Sequence, residues 1–312
     1  MTAQHALPAL QLGWIGTGRM GYAMAARLLR AGCRVAVYNR TKSKAEPLRE
    51  LGATIVVSPA ALSGCDIVFS MVSTSDDLLS VMSDKNGLLT SDKAPGMIID
   101  CSSVSEETSA KVRAEAAARG AQMLAAPVSG NAKVVKAGKL TVAVSGPVSA
   151  YEKALPLLQR LGTGVSYVGE GERARIVKIC HNLLLGVVTQ SLAEITVLAQ
   201  KAGVARHAFL DFINQSVMGS VFTGYKTPSF VNLDMAPTFT PVLLRKDLDL
   251  GLQAGEKLGV PLPLASLTRD IVQQVIDGGD TERDFAVLLL HAAKQSNLEL
   301  QPENVQVSDG LK

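Results

Sequence analysis

Three polar side chains lie close together in one long apolar stretch of the sequence. The stretch, residues 172–201, has no proline and contains Lys178, His181 and Asn182. On a helix that turns 100° per residue, these side chains fall within an arc of about 100° on one face. A lysine facing apolar surroundings loses hydration of its charged form, so its pKa is expected to fall toward the range useful for proton transfer. Lys178 is therefore a candidate catalytic residue.

A second interpretation of these side chains needs no catalysis. Lys178 can extend its ammonium group to solvent along its aliphatic stem, while Asn182 hydrogen-bonds a neighbouring backbone group.

The stretch itself predicts one helix of roughly 45 Å, ended by Gly203. Its apolar side chains lie nearly all round the axis, which predicts burial on most sides.

Length and charge limit the kinds of protein this chain can be. Its 312 residues suffice for one large or two ordinary domains, and 31 basic and 28 acidic residues leave a net charge of +3. The charges are spread along the chain, so no nucleic-acid-binding surface is predicted. The amino terminus lacks a basic region followed by an apolar core, and the 172–201 stretch is too polar for a membrane span. The sequence predicts a soluble, cytoplasmic protein.

The four cysteines show no pattern typical of a disulfide framework or a metal site. Their spacing along the chain is irregular, which predicts reduced, mostly buried thiols and no bound metal. The cysteines are Cys33, Cys65, Cys101 and Cys180.

A glycine-rich turn follows the first apolar run of the chain. Residues 10–15 predict a strand and residues 20–31 a helix, with a GxGxxG turn between them. In this arrangement the glycines permit a tight turn, let the backbone approach a pyrophosphate and let the helix pack closely on the strand. The alternative is a glycine turn without a ligand. The residues predicted to hold a dinucleotide here are Gly16, Thr17, Gly18, Arg19, Met20 and Gly21.

The end of the second predicted strand, residues 34–38, bears on which dinucleotide binds. An acidic residue at this place would bind the ribose of NAD and repel a 2′-phosphate. The chain has Asn39, Arg40 and Thr41 instead, and Arg40 can bind a phosphate through charge-assisted hydrogen bonds. The sequence therefore favours NADP while leaving NAD open. The alternative is that Arg40 and Lys42 form only a solvated helix start.

Apolar runs alternate with helical segments through the first half of the chain. The alternation predicts a largely parallel sheet with right-handed crossovers, whose ligand-binding loops follow the strands. Met71, Val72 and Ser73 are predicted to pass beside the dinucleotide. Residues 100–103 and 127–131 offer hydroxyl and N–H groups suited to a carboxylate, although each loop can also be a plain helix cap. The further predicted strands are residues 54–57, 67–71, 97–100, 122–126, 140–145 and 165–168.

Five motifs together give the sequence a specific resemblance. They occur in the order and spacing of the β-hydroxyacid dehydrogenase family, the 3-hydroxyisobutyrate dehydrogenase-like group related to 6-phosphogluconate dehydrogenase. The resemblance runs from about residue 10 to residue 293. The motifs are WIGTGRMGYAMAARLLRAG, DCSSVSEETSAKV, APVSGNAKVVKAGKL, KICHNLLLG and LLRKDLDLGLQAGEKLGVPLP.

The resemblance implies the domain organisation. It predicts an α/β Rossmann-type dinucleotide-binding domain over residues 10–169, then the long connecting helix and an all-α domain over residues 170–296, and a polar tail over residues 297–312. Apolar periodicity predicts helices at 242–258, 264–276 and 284–293, a poorly periodic insert at 218–241 and a loose chain from residue 301. Relatives of this kind form homodimers or homotetramers.

The resemblance also implies roles for individual residues. Lys178 falls on the position of the general acid/base, and Asn182 on that of its substrate-orienting partner. The implied substrate is a small anionic β-hydroxyacid or the matching semialdehyde. The implied substrate-binding residues are Ser102, Ser129, Gly130, Asn131 and Lys246, of which Ser102 and Lys246 also fall on cofactor-binding positions.

Departures from the family pattern leave alternatives open. Asn131 replaces a second glycine and can narrow the pocket or bind an additional hydroxyl, while His181 is either a packed neighbour or a catalyst. The role of Asp247 is open. An imine reductase is a second function on this fold, and a non-catalytic dinucleotide-binding module is a third. Relatives of both kinds usually lack a lysine at the position of Lys178.

Overall fold

The computed structural model describes residues 10–311, which form two compact units divided between Lys178 and Ile179. The predicted domain boundary at residue 169 stays a prediction. Arg175, near the start of the long helix, is hydrogen-bonded to Asp100 and Ser102 of the first unit. The amino-terminal residues on which the absence of a signal peptide was predicted lie mostly outside the described part.

A parallel sheet forms the centre of the first unit. Its strands are β1 (Gln11–Ile15), β2 (Arg34–Tyr38), β3 (Thr54–Ile55), β4 (Ile67–Ser70), β5 (Met97–Asp100) and β6 (Gln122–Ala125). The six strands lie in the order β3-β2-β1-β4-β5-β6, and all pairs are parallel. The order reverses between β1 and β4, which makes their carboxyl ends the switch point where such sheets bind ligand. The Rossmann-type prediction is confirmed.

A second, smaller sheet departs from the prediction of one sheet. Its strands are β7 (Val128–Ser129), β8 (Thr141–Val144) and β9 (Gly164–Tyr167). β7 runs antiparallel to β8, and Ala125 meets Ser145 in a single antiparallel bridge rather than a continued ladder. The two later predicted strands therefore belong to this sheet. β7 was missed because two residues are too few to show alternation.

Helices cover the larger sheet on both faces. They are α1 (Arg19–Arg30), α2 (Ser75–Ser83), α3 (Glu106–Ala118), α4 (Ala132–Lys136) and α5 (Val148–Leu161). Trp14 stacks on Phe69 in one apolar cluster, whereas its neighbour Ile15 belongs to another. Successive side chains of a strand point to opposite faces, so β1 supplies both cores.

The long helix, α6 (Arg173–Lys201), is confirmed as one element, and Gly203 follows it at φ +87°. Within a single chain, however, the helix is not buried on most sides. Val177, Leu184 and Leu198, spaced by multiples of seven residues, are 41%, 63% and 71% exposed. By length and composition alone α6 could cross a membrane, a property that core helices of soluble proteins share, and 50% of its most apolar window is buried inside the fold.

The second unit is helical throughout its core, as predicted. After α6 it contains α7 (Arg206–Gln215), α8 (Val221–Asn232), α9 (Pro241–Leu258), α10 (Pro263–Asp277) and α11 (Leu288–Gln295). The predicted insert at 218–241 was wrong, because it holds α8. A capping box of Ser220 and Thr223 starts this helix, and Pro228 within it hides the helical pattern from a sequence reading.

The carboxy-terminal segment is polar but not loose. Glu303 accepts hydrogen bonds from the backbone N–H groups of Arg206 and His207 at 2.7 and 2.9 Å, and its carboxylate lies 2.8 Å from His207 Nδ1. The buried Arg206 guanidinium donates to the carbonyl of Gln301 and to two carbonyls of α8. These bonds hold the segment against the second unit.

Candidate functional site

The glycine turn after β1 has the steric form that a pyrophosphate requires. Gly16 has φ +93°, and a Cβ there would lie 2.2 Å from the carbonyl oxygen of Met71. A Cβ on Gly21 would lie 2.0 Å from the carbonyl oxygen of Gly16. Gly18 precedes α1, has no neighbour within 4 Å of a built Cβ, and leads into a first helical turn without acidic residues. The loop is therefore closely packed at Gly16 and Gly21 and open at Gly18, as an anion site at the start of a helix should be.

The side chain of Asn39 hydrogen-bonds the backbone of this turn. Its Oδ1 accepts from the Thr17 N–H at 2.8 Å, and its Nδ2 donates to the Thr41 carbonyl at 2.8 Å. The Thr17 hydroxyl is buried, and within the described residues it makes no hydrogen bond. A phosphate oxygen would satisfy this buried donor, so the residues present fit a bound dinucleotide.

Arg40 is the exposed cation beside the turn. Its side chain is 84% exposed, and Nη1 lies 2.9 Å from Asp77 Oδ1. A surface ion pair of this kind contributes little, so the guanidinium can exchange Asp77 for a phosphate at small cost. Asp77 was not predicted to take part.

Ser102 is placed differently from its expected role as a substrate-binding hydroxyl. The residue is fully buried; its Oγ donates to Asp100 Oδ1 at 2.7 Å and accepts from the Val72 N–H at 2.9 Å. The hydroxyl is thus occupied in joining the loop after β4 to the loop after β5. Substrate binding by Ser102 stays a prediction.

Ser129 ends β7, and Gly130 and Asn131 connect it to α4. Gly130 has φ +130°, and Asn131 Oδ1 caps α4 by accepting from the N–H groups of Lys133 and Val134 at 2.9 and 3.1 Å. The Nδ2 of Asn131 is buried and has no hydrogen-bond partner among the described residues. The asparagine that departs from the family pattern therefore has a structural role and one unused donor.

Lys178 is half-buried in α6, at the end of the first unit. Its neighbours one turn earlier, Ala174 and Arg175, are fully buried, so this part of the helix is anchored in the unit. Asn182 follows one helical turn later, as the four-residue spacing requires. The lowered pKa of Lys178 stays a prediction.

A chain of polar contacts surrounds Asn182 in the second unit. Asn182 is 3% exposed; its Nδ2 donates to Asp247 Oδ2 at 2.5 Å, and its Oδ1 lies 2.8 Å from His181 Nδ1. Lys246 Nζ lies 3.1 Å from the other oxygen of Asp247. Because an amide oxygen only accepts, His181 carries its proton on Nδ1 in this contact. Asp247 thus orients both Asn182 and Lys246.

The sequence reading missed Asp100 and Arg175, which form a buried ion pair in the first unit. Nη2 of Arg175 lies 2.6 Å from Asp100 Oδ2, and the two side chains are 1% and 0% exposed. A signal was present in the sequence, since an aspartate ending the apolar run MIID needs a partner. Which residue supplies that partner depends on long-range packing.

The thiols are free, and their exposure differs from the prediction at one position. Cys65 and Cys101 are buried, Cys33 is partly buried, but Cys180 is exposed on α6. Burial raises the pKa of the Cys101 thiol well above its usual range, and the carboxylate of Asp100 raises it further. Within residues 10–311, no three His, Cys, Asp or Glu side chains are grouped so as to hold a metal ion.

Two family models match the chain. The NAD binding domain of 6-phosphogluconate dehydrogenase matches residues 11–169. A model described as NAD-binding of NADP-dependent 3-hydroxyisobutyrate dehydrogenase matches residues 172–291. The matched ranges contain the glycine turn and α6.

Two curated relatives match over most of their length. A chloroplastic glyoxylate/succinic semialdehyde reductase 2 of Arabidopsis thaliana is 32% identical over 292 residues, covering 92% of this chain and 81% of the relative. A 3-hydroxyisobutyrate dehydrogenase of Pseudomonas aeruginosa is 32% identical over 268 residues, covering 83% and 90%.

Solved structures share the fold. A 3-hydroxyisobutyrate dehydrogenase from Salmonella typhimurium has a TM-score of 0.81 and 25% identity, covering 90% of this chain and 99% of that one. Psf3 in complex with NADP+ and 2-OPP has a TM-score of 0.81 and 25% identity, covering 89% and 99%.

Proposed function

This chain belongs to the β-hydroxyacid dehydrogenase family, and we propose that it interconverts a small anionic β-hydroxyacid and its semialdehyde with NADP as the preferred cofactor. The proposal rests on one observation: the same chain has an open glycine turn and a half-buried Lys178 one helical turn from Asn182.

The chain binds a nicotinamide dinucleotide, and we propose its contacts from the chain's own residues. The glycine turn and the start of α1 are proposed to hold the pyrophosphate, the buried Thr17 hydroxyl one of its oxygens, and Arg40 a 2′-phosphate. Met71, Val72 and Ser73, which follow β4 at the switch point, are proposed to line the cofactor. A bound nicotinamide supplies or accepts the hydride of the reaction.

Lys178 is proposed to move the proton. In reduction its ammonium group donates to the oxygen of the substrate carbonyl, and in oxidation the neutral amine removes the hydroxyl proton. Asn182, held by Asp247 and His181, presents an amide of fixed orientation to the substrate. Lys246 is proposed to neutralise anionic charge on the substrate or cofactor.

Relatives suggest the substrate class. Their names include glyoxylate, succinic semialdehyde and 3-hydroxyisobutyrate, which share a carboxylate close to a carbonyl or hydroxyl carbon. The loop of Ser129, Gly130 and Asn131, with backbone N–H groups and an unused amide donor, is proposed to bind that carboxylate or an adjacent hydroxyl.

Turnover over a substrate panel tests this function. Oxidation of NADPH and NADH is followed with glyoxylate, succinic semialdehyde and related semialdehydes, and the reverse reaction with hydroxyacids, including 3-hydroxyisobutyrate and L-serine. We expect turnover of one class with NADPH preferred. Absence of turnover with every carboxylated substrate, together with reduction of a cyclic imine, would replace this proposal by imine reduction.

We expect Arg40→Ser to raise the KM for NADPH about 10- to 100-fold, because one charge-assisted hydrogen bond to phosphate contributes about 1.5–3 kcal/mol. The KM for NADH should stay within about 2-fold, since NADH has no 2′-phosphate to contact. Steady-state kinetics with both cofactors measure the effect.

Arg49→Ser is the matched control for Arg40. Arg49 is an exposed arginine paired with Glu46 at 2.6 Å, in the same segment after β2. Its loss should leave both KM values unchanged. An equal rise in both KM values for Arg40→Ser would contradict a 2′-phosphate contact and indicate a general loss of the loop.

We also propose that the protein is a cytoplasmic homodimer or homotetramer. The exposed apolar side chains of α6, including Leu184 and Leu198, support self-association because a monomer rarely leaves such a stripe in water. Light scattering of the purified protein distinguishes monomer, dimer and tetramer.

A further inference from the structure

The buried pair of Arg175 and Asp100 has no place in the mechanism described above. Both side chains are removed from water, 1% and 0% exposed, and such burial of charge is costly even when the pair is well formed. A buried ion pair is therefore a poor source of stability. The other hydrogen-bond partners of Arg175 and Asp100 indicate a further role for the pair.

Arg175 binds three parts of the first unit with one planar group. Besides the 2.6 Å contact with Asp100 at the end of β5, its Nη1 donates to the Ser102 carbonyl at 2.6 Å and its Nε to Ser109 Oγ in α3 at 3.0 Å. The donors of a guanidinium have a fixed geometry, so three simultaneous acceptors fix both the position and the rotation of the helix that carries it.

Asp100 extends the same network to the neighbouring loop. Its Oδ1 accepts from the hydroxyls of Ser70 and Ser102 at 2.6 and 2.7 Å. Ser102 Oγ in turn accepts from the N–H of Val72 at 2.9 Å. The loop proposed to line the cofactor, the loop after β5 and the start of α6 are therefore joined through one carboxylate.

Lys178 follows Arg175 by three residues in α6, about 4.5 Å along the axis and about 60° around it. We propose that Arg175 is a positioning residue, which through Asp100 and Ser102 holds Lys178 in register with the loop at Val72. This inference rests on the proposed role of Lys178 as the proton donor. The buried pair would thus affect catalysis without contacting the substrate.

Arg175→Lys tests the proposal. A lysine keeps the positive charge but cannot bind three acceptors arranged around a plane, so the start of α6 loses its fixed position. A misplacement of about 1 Å costs about 10²-fold in rate, and we expect kcat to fall by that factor. The KM for NADPH should change less than about 3-fold, because the charged contacts proposed for the pyrophosphate and the 2′-phosphate, at the glycine turn and Arg40, are untouched even if the Val72 loop shifts.

A second measurement does not depend on turnover. Lys178 is labelled with acetic anhydride over a range of pH, and the rate is read by mass spectrometry of its peptide. We expect the pH dependence of labelling at Lys178 to differ between wild type and Arg175→Lys, while labelling at Lys201 is the same. If wild type is inert on every substrate, the proposed function fails and the labelling alone decides the positioning role.

Arg27→Lys is the matched control. Arg27 is a half-buried arginine of the same unit that donates to the carbonyls of Arg160 and Val135 at 2.5 and 3.5 Å. Its replacement should lower the melting temperature without changing kcat or the labelling of Lys178. The proposal is overturned if Arg175→Lys, like Arg27→Lys, lowers only the melting temperature.

Ser109→Ala covers the case in which Arg175→Lys does not fold. It removes one of the three acceptors and leaves the ion pair intact, so kcat should fall roughly 3-fold with the KM for NADPH unchanged. An unchanged kcat and unchanged labelling of Lys178 in Ser109→Ala would then count against the proposal.

Discussion

Lys178→Ala is expected to lower kcat for reduction of a semialdehyde by about 10³-fold, within the range that a positioned general acid contributes. The alanine removes the only proton donor that we assign to the carbonyl oxygen. The dissociation constant for NADPH, measured by fluorescence titration, should change little, because Lys178 is not among the proposed cofactor contacts. Stopped-flow absorbance of NADPH measures the chemical step.

Two further variants decide what Lys178 contributes. Lys178→Arg keeps the positive charge, but a guanidinium with a pKa above about 12 does not release its proton, so the variant should be as inactive as the alanine. Lys201→Met removes another lysine of α6, one that donates to the Ser296 carbonyl at 2.7 Å, and should keep full activity. An active Lys178→Arg would show that charge alone suffices. Full activity of Lys178→Ala would refute the assignment.

Lys226→Met is expected to lower the free energy of unfolding of the second unit by about 3–5 kcal/mol, as breaking a buried ion pair does. Lys226 is 1% exposed, and its Nζ lies 2.5 Å from Asp284 Oδ1 and 4.2 Å from the centre of the Phe285 ring. Methionine fills similar space but leaves the fully buried carboxylate of Asp284 without a counter-charge.

Arg283→Met is the matched control for Lys226. It breaks the neighbouring ion pair with Asp280, whose arginine side chain is 51% exposed, and should cost less than about 1 kcal/mol. Urea unfolding is followed by far-UV ellipticity, while fluorescence of the single tryptophan, Trp14, reports on the first unit. Equal losses for the two variants would show that the buried pair contributes no more than a surface pair.

The same pair predicts a dependence of stability on pH. Burial acts to raise the pKa of Asp284, but the charge of Lys226 and hydrogen bonds from Lys226, Thr238 and Ala286 lower it below its usual value. A lowered carboxyl pKa gives stability that is present above the unfolded value of about 3.9 and lost as pH falls through the folded value. Lys226→Met removes the charge that lowers this pKa, so the loss of stability as pH falls below about 4 should be smaller in the variant than in wild type.

Local patterns sufficed for much of the fold. The apolar run before the GxGxxG turn predicted β1 and α1, and the proline-free stretch ended by Gly203 predicted α6. Both patterns work because strand alternation and helix termination depend on residues close in the chain. The helix α8 was missed because sequence reading depends on such local patterns. Pro228 interrupts the helical pattern, whereas capping and packing stabilise the helix itself.

The supporting contacts of the site could not be read from local patterns. Lys178 and Asn182 are recognisable by type and spacing, but Asp247 reaches Asn182 from 65 residues away and Arg175 reaches Asp100 from 75 residues away. Such contacts depend on the packing of whole elements. The carboxy-terminal segment was misjudged likewise, because composition alone does not show that Glu303 binds Arg206 and His207.

Each unit depends on its own last residues, and this sets an order for synthesis on the ribosome. The first unit ends at Lys178 and needs Arg175 to neutralise Asp100, so it can close only when almost all of it has emerged. The second unit needs Gln301 and Glu303 to satisfy Arg206. At about 5–20 residues per second, a nascent chain therefore carries a completed first unit for several seconds before the second can close.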